Sequence, residues 1–346
     1  MFKNLFSKGK KQTNLPDNVE NEIEISERTP EIVWKFETGE EIESSPVVSD
    51  GTVFFGCNDG YLYALNTESG QEMWKFKTDS KIKKTPIISQ GVVYFPSYDH
   101  NLYAVDINTG QEIWKYKTND CYTSSPVIYK GVLYFSSSDN IFGIDIKTQQ
   151  ELWKFKVGGR VTAAPTVSDG VVYVPDIYFM NAIDIKTSRI NWKYRTGGLT
   201  GSSPTVTNGV IYFGSQYGHL HAADIYSGKT KWQFKTPEGN VDTTATVSHG
   251  VVYFGSFNKY MYAVNINTSK EIWKFKTNGG VDSSPVISDG VIYFRSMGDY
   301  YLYALDIKTA KVLWRFKTDW LTSTSPAVSD GVVYMTTKKG TLYALK

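Results

Sequence analysis

Apolar and polar positions alternate along this chain in short runs, and the runs recur. Residues 44 to 78 read SSPVVSDG, TVFFG, YLYALN and ESGQEMWKFKT, four apolar or aromatic stretches set apart by Gly, Asp, Asn and Ser. Runs this short, bounded by turn formers, predict β-strands. Tryptophan fixes the period: Trp34, Trp74, Trp114, Trp153, Trp192, Trp232, Trp273 and Trp314 stand 40, 40, 39, 39, 40, 41 and 41 residues apart. Four strands in a unit of that length make one blade of a β-propeller.

With strands lettered A to D from the axis outward, eight A strands are marked by Pro46, Pro86, Pro126, Pro165, Pro204, Ala245, Pro285 and Pro326. The tryptophans mark eight D strands, out of phase with the A strands. The first D strand, residues 32 to 37, precedes the first A strand, and the chain stops after a C strand at residues 341 to 345. The two ends therefore complete one blade, which removes the open edge of a linear array. The expectation is an all-β, eight-bladed propeller of four antiparallel strands per blade over residues 31–346, preceded by a polar, charged and disordered tail at 1–30.

The segment AVDINTGQEIW, Ala104 to Trp114, resembles the tryptophan-docking motif of propellers of the pyrroloquinoline-quinone (PQQ) type, and related copies end at Trp74, Trp153, Trp192, Trp232, Trp273 and Trp314. The motif glycine is kept at Gly70, Gly110 and Gly228 but is replaced by Gln149, Ser188, Ser269 and Ala310. The resemblance implies that the eight tryptophans are structural, each indole pressed between the motif turn and a neighbouring blade. It also implies two functional branches. Quinoprotein dehydrogenases are larger, with inserted loops, a vicinal cysteine pair and calcium beneath the quinone. BamB-like proteins are compact eight-bladed scaffolds. Absent insertions and the separation of Cys57 from Cys121 place this chain nearer the BamB-like branch. The expectation is a scaffold with no cofactor, PQQ and calcium entering through the resemblance alone. The competing readings are a PQQ-dependent dehydrogenase-like enzyme and a small-ligand sensor.

Composition narrows the partners. Lys plus Arg number 37 against 35 Asp plus Glu, a net charge of +2 that gives no overall attraction for nucleic acid or an anionic membrane. No apolar run approaches the length of a spanning helix. The reading is a monomer that binds a protein partner without entering a membrane. As written the start lacks a signal-peptide core, so the chain reads as cytoplasmic; the alternative is the cell envelope, where BamB-like proteins reside.

Antiparallel order puts the A–B and C–D turns on one rim and the D–A and B–C loops on the other. The A–B turns repeat Ser-Asp-Gly almost unchanged, as at residues 49–51 and 168–170, which is turn chemistry. The B–C loops are diverse and aromatic, as in Tyr98-Asp99-His100 and Tyr217-Gly218-His219, which marks their rim as the recognition surface. Three places before each A-strand proline, at the predicted channel mouth, stand Glu43, Lys83, Thr123, Thr162, Gly201, Asp242, Asp282 and Ser323. Acids from blades 1, 6 and 7 cluster on one side of the closed ring, with Lys83 and Lys84 beside Glu43 in blade 2, which predicts a polarised mouth suited to a cation, a zwitterion or a basic peptide. Trp320, outside the docking register, joins Tyr122 and Arg160 as candidate partner contacts in the D–A loops. His219 and His221 alternate on one C strand, a weak metal signal. Lysines after the docking tryptophans read as protection of the outer edge.

Overall fold

The computed structural model describes residues 28–118, 120, 121, 123–318 and 322–346. Their strands form eight antiparallel sheets arranged as the blades of a propeller. Blade 1 runs A Val47–Ser49, B Thr52–Gly56, C Tyr61–Asn66 and D Glu72–Lys77. Blade 8 is made from both ends of the chain, with A Ala327–Ser329, B Val332–Thr336, C Thr341–Leu345 and D Ile32–Glu37. Its closing register pairs Trp34 with Ala344 and Glu37 with Thr341, and Glu31 and Lys346 exchange backbone hydrogen bonds of 2.8 and 2.9 Å. The expected ring closure is therefore the observed one.

The A–B turns explain their own monotony. Asp50 and Gly51 both take positive φ, 48° and 72°, as do Asp289 and Gly290 at 48° and 77°. Two successive left-handed residues make the two-residue hairpin turn whose twist matches the strands, and Asp-Gly is among the pairs that favour it.

Burial follows strand order. B and C strands are buried, whereas the D strands alternate between exposed and covered positions. The core is divided among the seams between blades: one cluster joins Val53, Phe55 and Leu65 of blade 1 to Trp34, Tyr334, Leu342 and Ala344 of blade 8. The docking tryptophans supply the outer part of each seam. Trp34, Trp74, Trp192, Trp232 and Trp273 donate their indole N–H to a carbonyl in the following blade at 2.8 to 3.0 Å, and Trp153 donates to Ser188 Oγ at 3.0 Å. A Cβ added to Gly70, Gly110 or Gly228 would lie 2.6 Å from the docked ring, so the indole rests directly on the turn. Two D-strand residues further on, Phe36 packs edge-on against Phe55 and Tyr63 of the next blade.

Blade 7 departs from four strands. Gly280–Val281 in its D–A loop pairs with Ser296 and Met297, giving a fifth short strand. Gly279 permits this approach, since a Cβ there would sit 1.5 Å from the Met297 carbonyl oxygen. Near the axis, Ser and Thr do more than fill a narrow space. Thr244 N–H donates to Ser284 Oγ, Ser284 N–H to Ser325 Oγ and Ser325 N–H to Ser45 Oγ, at 2.9 to 3.1 Å, stitching blades 6, 7, 8 and 1 together.

Candidate binding vestibule at the axial mouth

The B–C turns and D–A loops lie on one rim and are knitted to each other. Asn58, Tyr98, Gln216 and Phe257 donate backbone N–H groups to Glu41, Lys81, Leu199 and Asn240 at 2.8 to 2.9 Å. Inside this rim lie three contiguous cavities of about 440, 500 and 390 Å³. The first and second share Gly201 and Ser203, the first and third share Lys84 and Tyr98, and the second and third share Thr322, Ser323 and Lys338. Together they form a vestibule over the axis.

Six of the eight candidate binding residues line it. Arg160 and Lys84 border the first cavity, Asp242 and Asp282 the second, and Glu43, Lys83 and Lys84 the third. Tyr122 and Trp320 lie outside the described residues. The charges are arranged less simply than one acidic side facing one basic side. Glu43 Oε1 pairs with Lys83 Nζ at 2.6 Å and accepts from Asn58 Nδ2 at 2.9 Å. Burial works against this carboxylate, but the hydrogen bonds from Asn58 and Lys83 outweigh it and hold its pKa below the usual range. Lys83 is also seated over the Tyr98 ring, 5.6 Å from its centroid, so Glu43 and Lys83 neutralise one another across blades 1 and 2.

Burial governs Lys84, Asp242 and Asp282 in the same cavities. Burial depresses the Lys84 ammonium, with Glu43 opposing. Burial raises the Asp242 carboxyl and lifts Asp282 to about 6, the charge of Arg295 opposing the latter shift. One oxygen of each aspartate, Oδ1, is buried without a hydrogen-bond partner among the described residues. The acidity of the mouth is thus concentrated at blades 6 and 7.

Arg295 was not a candidate from the sequence, yet it lies beneath that acidic side. It lies two residues before the end of strand B of blade 7, Val291–Met297, is 0% exposed, and reaches into the loop that enters blade 8, where its Nη1 donates to Thr324 O at 3.0 Å, to Thr322 Oγ1 at 3.3 Å and to Thr324 Oγ1. The signal for it was available: the same place in the other blades holds Gly56, Pro96, Ser136, Pro175, Gly214, Gly255 and Thr336. A long cation among small residues is a departure that comparison of repeats would have found.

Around the outer margin of the vestibule, consecutive B–C turns of blades 4 to 7 present Tyr178, Tyr217, Phe257 and Met297, exposed by 64, 68, 37 and 46%. The equivalent turns of blades 8, 1 and 3 carry Lys338-Lys339, Asn58-Asp59 and Ser138-Asp139. The rim is therefore apolar over one half and polar over most of the other. Among the described residues His221 joins no group of three metal-ligating side chains. It is buried, contacts Ser215 Oγ at 2.9 Å and Tyr194 Oη at 3.0 Å, and its pKa falls to about 4 through burial.

A family model described as the outer membrane protein assembly factor BamB matches residues 20–148, 123–269 and 236–346. The chain belongs to the BamB family. No curated protein sequence gives a significant match. Among solved structures, the crystal structure of BamB from Moraxella catarrhalis is similar with a TM-score of 0.64 and 16% identity, over 91% of this chain and 85% of that one. The computationally designed protein Ika8 is similar with a TM-score of 0.80 and 17% identity, over 89% of this chain and 97% of that one. Quinohemoprotein alcohol dehydrogenase from Comamonas testosteroni is similar with a TM-score of 0.76 and 14% identity, over 91% of this chain and 76% of that one. At such identities the likeness is one of fold, and a fold shared by a BamB and a dehydrogenase does not choose between their roles.

The donor set bears on that choice. A quinone seated on calcium needs grouped oxygen ligands, and among the described residues no three His, Cys, Asp or Glu side chains stand close enough to hold a metal ion. Asp242 and Asp282 share a cavity without a third carboxylate lining it, and Cys57 and Cys121 are separate thiols. Among the described residues no helix is long and apolar enough to cross a membrane.

Proposed function

We propose that this chain is a non-catalytic docking platform that binds a protein partner through the rim formed by its D–A and B–C loops. The observation that carries the reading is the arc of Tyr178, Tyr217, Phe257 and Met297 on four successive turns, beside the Asp242 and Asp282 carboxylates. Large, exposed, mostly aromatic side chains on rigid turns are the composition of interface anchors, and few soluble surfaces leave such groups in a row without use. Partly desolvated acids next to them favour a partner segment that carries a basic residue among apolar ones. Arg160 and Lys84 extend the same surface in this reading, and Tyr122 and Trp320 stay partner-contact candidates on sequence grounds. The family's description as an outer-membrane assembly factor is consistent with a platform. Nothing in the mode of binding requires lipid, so it operates in cytoplasm or envelope alike.

The test is affinity capture followed by cross-linking from the native host, with three versions of the chain. Wild type and a control bearing Asp169→Asn and Asp289→Asn on the A–B rim are expected to recover one common partner. A variant with Tyr178→Ser, Tyr217→Ser, Phe257→Ser and Met297→Ser is expected to lose it while keeping its circular dichroism spectrum. Equal recovery by the rim variant would move the interface elsewhere. Loss in the A–B control would place it on the opposite rim.

A further inference from the structure

Arg295 holds a charge that the molecule leaves incompletely matched. Its side chain is 0% exposed, its Nη1 is engaged by Thr322 and Thr324, and its Nε and Nη2 are buried with no acceptor. Those two atoms lie on one edge of the guanidinium, the planar fork that matches both oxygens of a carboxylate. No carboxylate forms an ion pair with it among the described residues; Asp282 acts on it through space only. Buried guanidinium groups are ordinarily paired, because an uncompensated interior charge costs several kcal/mol of desolvation. Even with burial lowering its pKa to about 10, Arg295 stays protonated at neutral pH.

The exchange that put it there is visible in the repeats. In the seam between blades 6 and 7, Gly255 faces Val281, whose Cγ1 would touch an added Cβ at 2.3 Å, and Gly214 likewise faces Val241. In the next seam the glycine is Arg295 and the facing aliphatic is Thr322. A dry contact has become polar on both sides at once. Thr322 also lines the 500 Å³ cavity together with Asp282 and Met297, so the guanidinium lies one side chain below the vestibule floor. The Thr322 contact is the longest of its hydrogen bonds, at 3.3 Å, and is the weakest part of that cover.

We propose that the Nε–Nη2 edge of Arg295 is a receptor for one carboxylate group, admitted from the vestibule past Thr322 and Asp282. The ligand presents a terminal carboxylate on a narrow stem, with Phe257 and Met297 as the apolar wall for the portion left in the cavity. A primary amide of the same shape offers one acceptor oxygen where the fork asks for two. The inference is separate from the partner reading, since the fork is tested with formate, which leaves no portion for the Phe257 and Met297 wall, and the rim variants keep Arg295 itself.

Formate is the probe, titrated into the full chain by calorimetry at constant ionic strength, with chloride and formamide as controls. Saturable one-site binding of formate, with formamide at least about tenfold weaker, is expected. Arg295→Lys keeps the charge, removes the fork and should weaken formate by about tenfold or more. The double variant Arg295→Gly with Thr322→Val rebuilds the Gly255–Val281 pairing, should fold, and should not bind formate. A peptide ending in a free carboxylate, compared with its amidated form, distinguishes a chain terminus from a free small acid, and competition with formate by either source supports the site. Absence of saturable formate binding, equal response to formamide, undiminished binding by the double variant, or a formate-soaked crystal showing only ordered water on Nε and Nη2 would each overturn the proposal.

Discussion

Trp192 offers the sharpest measure of what the docking tryptophans contribute. It is 9% exposed, its indole N–H donates to Ile225 O at 3.0 Å, and its ring lies on the Gly228 turn, within 2.6 Å of where a Cβ would be. Trp192→Ala removes the ring and leaves a cavity between blades 4 and 5, which for a buried aromatic costs about 3–5 kcal/mol. Trp192→Phe keeps an aromatic ring in the seam but loses the N–H. Ile225 O still accepts from Tyr173 Oη at 3.2 Å, so no acceptor is orphaned and the lost hydrogen bond is worth about 1 kcal/mol. Trp114 is the matched control. It is buried to the same degree, at 8% exposure, yet its indole N–H has no acceptor among the described residues. Trp114→Phe should therefore cost less than Trp192→Phe by about 1 kcal/mol. Reversible denaturant unfolding, with midpoints compared at a common slope, measures the difference. Equal costs for the two Phe variants, or a loss below about 1 kcal/mol for Trp192→Ala, would refute the view that these indoles fasten blade to blade.

Two other expectations follow from the ring and its acidic side. Because burial raises Asp282 to about 6, the folded chain holds that proton more tightly than the unfolded one; this contribution is complete below pH 3.8 and is lost as pH rises through about 6. The change is on the order of 3 kcal/mol, Asp242 adds in the same direction, and the fall in stability between about pH 4 and pH 7 should be smaller in Asp282→Asn; an unchanged profile would contradict it. Deleting residues 31–37 removes Trp34 from Gly70 and exposes the edge of strand C in blade 8, so it should broaden thermal unfolding and promote association seen by sedimentation; a monomer melting like wild type would count against the closure.

Much of this architecture was legible because each blade repeats its local chemistry. The Ser-Asp-Gly turns require two left-handed residues, the tryptophan period sets the blade length, and the offset of Ile32–Glu37 from the first A strand requires that the ends meet. The position of Glu43, Lys83, Asp242 and Asp282 around the mouth followed from counting back three places from the A-strand residues, whereas Arg160 entered as a D–A loop residue. Their states did not. Whether Glu43 is free or held by Lys83 and Asn58 depends on side-chain reach across a seam, which periodicity does not encode. The same limit hid the Ser and Thr stitches from Ser45 to Ser284, which read as crowding alone. Arg295 is hidden for another reason: it stands where other B strands carry Gly56, Gly214 and Gly255, a departure in one blade that the shared repeat pattern averages away.

The reciprocal hydrogen bonds of Glu31 and Lys346 have an implication for topology. With Lys346 already bonded to Glu31, a short peptide link in place of residues 1–30 would turn the polypeptide into a loop without a privileged origin. New ends could then be cut at any A–B hairpin, such as between Asp169 and Gly170, giving circular permutants in which a different blade becomes the composite one.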